Sequence, residues 1–80
     1  MPPEELRITL RQRPFVPFRL HLTDGRSFDV PHPENLMVSA RSAVVGVYQS
    51  GHANGQIFAD YSETIALIHI VSLTPLTQTA

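Results

Sequence analysis

The sequence predicts a mainly β fold with one N-terminal α-helix, built as a small, strongly bent antiparallel barrel of five or six strands. Three observations carry this expectation. The chain has 80 residues, 42% apolar and 16% charged, which suits one domain over 1–80 and is too apolar for a disordered chain. A short amphipathic stretch behind two prolines opens it, and period-two alternation follows. Turn signals then recur at short intervals, as short strands require.

The helix is expected at about 3–12. Pro2 and Pro3 suit a first turn, where a missing N–H loses nothing. Glu4 and Glu5 sit at the positive end of the helix dipole, Arg11 and Arg13 at the negative end. Leu6 and Leu10, four apart, form a narrow apolar stripe that must pack on the strands, because so short a helix does not stand alone. Pro14 stops it, and Pro17 keeps the residues before it extended.

Strands at about 17–23 and 26–31 make a hairpin around Asp24-Gly25. Phe18, Leu20 and Leu22 alternate with Arg19, His21 and Thr23, and Phe28 and Val30 continue the pattern. A two-residue Asp-Gly loop would pair His21 with Phe28 and mix polar with apolar side chains on one face. A three-residue loop over 23–25, with Gly25 left-handed in a bulge, pairs Leu20 with Phe28 and Phe18 with Val30. Only the second keeps one face apolar, so the bulged turn is expected.

Pro31 and Pro33 end that ladder. Further strands are expected at about 35–39, 43–49, 56–61 and 64–74, the last interrupted by a tight turn near 68–70. The segment 43–48 is apolar on both faces, so its strand is expected to be central and covered twice. The stretch 50–55 is the longest loop, and Pro75 closes the ordered region.

Composition narrows the function classes. Without cysteine there is no disulfide, thiolate metal site or cysteine nucleophile, which fits a cytoplasmic setting. Acids stand where a secretory signal needs bases, and the most apolar run, 64–73, is about half the roughly 20 residues of a membrane span. His21, His32, His52 and His69 are too scattered for metal spacing. They read as an outward strand residue, a loop residue, a loop tip and a partly buried residue whose ring bonds backbone, in that order. No serine sits in a nucleophile elbow, no glycine-rich loop cradles phosphate, and the chain has no lysine. The expectation is therefore no enzyme activity, no catalytic residue, no metal and no cofactor.

The formal net charge is −1, yet all six basic residues are arginine and five lie within 7–26. If the partner is acidic, Arg7, Arg11, Arg19, His21 and Arg26 are the side chains expected to meet it. An RNA or single-stranded DNA binder using those arginines is the alternative function, set against the small basic excess. The favoured one is a non-catalytic binding or assembly module, self-associating through edge strands as a homo-oligomer or meeting another protein. A chain this short leaves apolar surface that a monomer cannot cover.

The run RPFVPFRLHLTDGRSFDVPHP over 13–33 resembles a widespread family of short, uncharacterised bacterial proteins, and LIHIVSLTP over 67–75 is similar to that family's closing segment. This resemblance implies no activity. More remotely, the LTDGR turn at 22–26 and the ending HIVSLTP at 69–75 resemble SH3-like and Sm-like small barrels. The RNA sites of the Sm-like family are not matched: 33–37 reads PENLM in place of Asp-x-aromatic-x-Asn, and the last loop has neither an Arg-Gly pair nor a lysine before its histidine.

Overall fold

A computed structural model describes residues 1–48 and 59–76. Helix α1 spans Pro3–Arg11 and six strands follow: β1 (Phe18–Leu22), β2 (Ser27–Val30), β3 (Leu36–Val38), β4 (Ser42–Val47), β5 (Tyr61–Ala66) and β6 (Ile70–Pro75). Short 3-10 turns at Pro33–Asn35 and Leu67–His69 precede β3 and β6. The strands form two three-stranded antiparallel sheets, ordered β2-β1-β6 and β3-β4-β5, and among the described residues their pairing does not close into a barrel.

In α1 the acids occupy the first turn and Arg11 the last. Leu6 is fully buried and Leu10 packs against the same core, while Ile8, on the opposite side of the helical wheel, is 58% exposed. That stripe docks the helix, since burying one leucine contributes roughly 1.5–3 kcal/mol.

The hairpin has the bulged register. Phe18 pairs with Val30 and Leu20 with Phe28. Gly25 has φ +91° and its N–H donates to Leu22 O (3.1 Å), while Leu22 N–H donates to Arg26 O (2.9 Å). Phe18, Leu20, Leu22 and Val30 are buried. Phe28 faces the same way but is only half-buried, because β2 is an edge strand.

The second sheet departs from expectation in three places. A strand was expected at 56–61; residues 56–58 lie outside the described residues, Ala59 and Asp60 are not in a strand, and β5 instead begins at Tyr61. All six residues of β4 find partners this way, from Ser42↔Ala66 to Val47↔Tyr61. Glu63 falls in the inward register beside Ile65 and is tolerated because Arg26 reaches it at 3.4 Å. The interruption of the last apolar run is a 3-10 turn one residue earlier than expected, over Leu67–His69, because Leu67 joins the core.

The third departure concerns β4. It is central in its sheet, with Ala43 and Val45 buried on one face, but among the described residues the other face is only partly covered: Val44 is partly exposed, while Asn35 and Ala59 stand over Gly46. Residues 50–55 lie outside the described residues.

The core is one cluster, drawn from Leu6, both sheets and Leu67 in the turn between β5 and β6. The ends of the turns are tied across it. Ser39 N–H donates to Ser42 O (2.8 Å), Leu67 N–H to Arg41 O (2.9 Å) and Thr23 N–H to His69 O (2.9 Å). No described helix is long and apolar enough to cross a membrane.

Candidate functional site

The five side chains expected to meet an acidic partner lie on two elements. Arg7 and Arg11 are on α1; Arg19, His21 and Arg26 are on the hairpin. Arg19 and His21 alternate on the outward face of β1, as period two requires.

That face is not a free cationic patch. Arg19 Nε lies 2.6 Å from Asp29 Oδ1 and its Nη2 3.4 Å from Oδ2, and this hydrogen bond raises the guanidinium pKa above its ordinary value. Arg26 Nε lies 2.9 Å from Asp24 Oδ2 and its Nη1 3.4 Å from Glu63 Oε2. The Arg26 backbone N–H, 3.0 Å from Asp24 Oδ1, holds that carboxyl below the usual aspartate range. The Arg26 guanidinium also stands 5.7 Å from the centre of the Phe28 ring, within cation–π range. Arg7 pairs with Glu4 at 3.3 Å, and His21 Nε2 is hydrogen-bonded to Thr74 Oγ1 at 2.9 Å. Of the five, only Arg11 has neither an ion pair nor a hydrogen-bonded side chain among the described residues.

The carboxylate partners were partly legible. The bulged register places Asp29 directly opposite Arg19, so that pair followed from the turn length. Glu63 did not, since its approach to Arg26 depends on how the two sheets meet. These are exposed pairs, screened by solvent and individually weak, so each arginine is engaged by its neighbour without being locked to it.

His69 differs from expectation. It is exposed, and its Nδ1 lies 3.3 Å from Thr23 Oγ1, so the ring bonds a side chain and not backbone. The 3-10 turn buries Leu67 and leaves His69 outward. Thr23, His69, Thr64 and Arg26 border a polar hollow of about 270 Å³ at the hairpin tip. The hydroxyl and imidazole are the nearest approach to a nucleophile–base pair, but the bond is long and His69 has no carboxylate partner among the described residues, so nothing orients the ring as a base.

A second cleft, about 410 Å³, lies between β2 and the end of β4, with Phe28, Val47 and Tyr48 as walls and the Arg19–Asp29 pair at its rim. Nearby, Asn35 Nδ2 donates to the Tyr48 hydroxyl (2.6 Å). A third, more open groove of about 690 Å³ runs past Pro2, Pro3, Ala40, Arg41, Ala66 and Ile68. His32 is exposed, and His52 lies outside the described residues. Among the described residues no three of His, Cys, Asp and Glu converge as metal ligands.

Comparison of the chain with protein-family models, with curated proteins and with solved structures found no match in any of the three.

Proposed function

We propose that this chain is a non-catalytic binding or assembly module that associates with copies of itself through the edges of its two sheets. One observation carries the reading: among the described residues β5 and β6 are both edge strands, and they flank a turn that exposes Ile68. Ile68 in that turn is 78% exposed, Val71 on β6 56% and Tyr61 on β5 49%. Edge strands present unpaired N–H and C=O groups, and natural sheets usually guard them with charge or proline. Here β6 carries no charged residue and only a terminal proline.

The finer architecture belongs to the same proposal. The chain passes from one sheet to the other through Pro33–Asn35 and returns through Leu67–His69. Two small antiparallel sheets joined by two short turns behind an N-terminal helix support the reading of an SH3-like or Sm-like small barrel. A cytoplasmic setting is part of the reading, on the lack of cysteine. Nucleic-acid binding is less well supported, because Arg19 and Arg26 already hold carboxylates.

The test is sedimentation velocity from micromolar to millimolar protein. Wild type should gain mass with concentration, and the exposed-site variants Ile68→Lys and Val71→Lys should gain less while keeping the wild-type circular dichroism spectrum. A monomer at every concentration refutes the proposal.

A further inference from the structure

We propose that the open groove beside the turn between β5 and β6 binds a monomeric medium-chain fatty acid, with the hydrocarbon chain along the groove and the carboxylate on Arg41. Two turns and the start of α1 meet there: Ala40 and Arg41 from between β3 and β4, Ala66 and Ile68 from around the second 3-10 turn, and Pro2 and Pro3 from the helix start. The space is about 690 Å³, within the roughly 300–1,000 Å³ of small-molecule sites.

The walls are held in place. Leu67 N–H donates to Arg41 O at 2.9 Å, which ties the two turns to each other. Leu67 is buried and roots its turn in the core, while Ile68 is 78% exposed. Proline rings restrict φ, and Pro2 stands at −65° in extended backbone, so the far wall does not fold over Ile68. A ligand that covers Ile68 therefore removes apolar surface from water in a groove that already exists.

Charge selects the head group. No acid lines the groove, and the Arg41 guanidinium is the one charged side chain that does. Arg7, Arg19 and Arg26 each hold a carboxylate, whereas Arg41 has no ion pair among the described residues. The Met1 α-amino group already donates to Leu67 O (2.8 Å) and Ile70 O (3.5 Å). The matching ligand has an aliphatic body and a single anionic head. No aromatic wall is present to stack a planar ring. A peptide would bring amide groups that these side chains cannot pair, and an anionic membrane takes a cluster of bases, not one arginine.

The test is titration of the dilute full chain with decanoate below its micelle threshold, read from the amide NMR shifts of Ala66, Leu67 and Ile68. These should move saturably, and decanoate should bind at least about tenfold more tightly than hexanoate, because each buried CH₂ strengthens binding about fourfold. Arg41→Gln should weaken decanoate about two- to fivefold, the scale of an exposed ion pair. Arg41→Glu should weaken it further and Arg41→Lys should preserve it, while decanol should bind more weakly and be indifferent to Arg41→Glu. No shift at the three amides, decanoate affinity unchanged in Arg41→Glu, or decanol bound as tightly as decanoate overturns the proposal. So does Arg41-dependent binding to phosphatidylglycerol vesicles without binding to decanoate, which would make the partner a membrane. Ile68 also belongs to the edge reading, so Val71→Lys separates the two: it should lose self-association and keep decanoate binding. A chain that binds decanoate but stays monomeric at every concentration supports the groove and refutes the edges; one that self-associates without binding decanoate does the reverse.

Discussion

Replacing Gly46 by alanine should destabilise the fold through a collision that one further substitution relieves. An added Cβ at Gly46 would lie 2.9 Å from Ala59 Cβ and 3.3 Å from Asn35 Nδ2. Carbon atoms prefer about 3.5–4.0 Å, so the first contact is short by about 0.6 Å at least. Ala59 Cβ is fixed to its backbone and cannot rotate away, and Asn35 is held by the Tyr48 hydroxyl at 2.6 Å. Overpacking of this kind costs about 1–3 kcal/mol, and removing a glycine from the unfolded chain returns about 0.4–1 kcal/mol. The net loss expected for Gly46→Ala is about 1–2 kcal/mol, or roughly 5–15 °C in Tm for a domain of this size. Urea denaturation followed by circular dichroism would measure it. The double variant Gly46→Ala with Ala59→Gly should recover at least half of the loss, a coupling that only neighbouring side chains show. Strict additivity, or a stable Gly46→Ala, would refute the reasoning.

Gly25 presents the opposite case, with nothing within 4 Å of an added Cβ but φ at +91°. Gly25→Ala should cost about 1–2 kcal/mol from backbone strain alone, and Gly25→Asn less, because asparagine tolerates the left-handed region; equal stability of all three in urea melts would count against the bulged turn. Leu6→Ala should lose about 2–5 kcal/mol and Ile8→Ala no more than about 0.5 kcal/mol, and similar losses at the two sites would mean that the helix docks on another face. Asp24 has a folded pKa below its ordinary 3.8, so its contribution is present above that value and is lost as pH falls through the lowered one. Denaturation curves of wild type and Asp24→Asn should therefore differ near pH 6 and converge in strong acid, and a gap that widens on acidification would contradict the assignment.

Much of the first half of the fold was legible because its signals are local. The proline-bounded start and the Leu6–Leu10 spacing specify α1. The register Leu20↔Phe28 follows from requiring one apolar face across a turn that contains Gly25, and the ion pair Arg19–Asp29 follows from that register. The second half misled where local signals compete. Alternation around 57–61 suggested a strand ending at Tyr61, yet Tyr61 opens β5, since pairing along the whole of β4 outweighs the alternation of its neighbours. His69 was expected inside because its neighbours are apolar, but a 3-10 turn has a period near three, so burying Leu67 and Ile70 leaves the residues between them outward.

The candidate site was less legible than the fold for a related reason. Five basic side chains could be picked out along the chain, but whether they are free depends on which carboxylates stand opposite them. Glu63 reaches Arg26 across 37 residues of sequence, and no spacing rule connects the two. Period and turn chemistry are properties of a few consecutive residues, so the sequence by itself determined the helix, the hairpin and the inward row of β1. Only the tertiary structure decided which strands share a sheet, why Gly46 has no room for a side chain, and which carboxylate reaches Arg26 from the other sheet, because each is settled by contacts between segments distant along the chain.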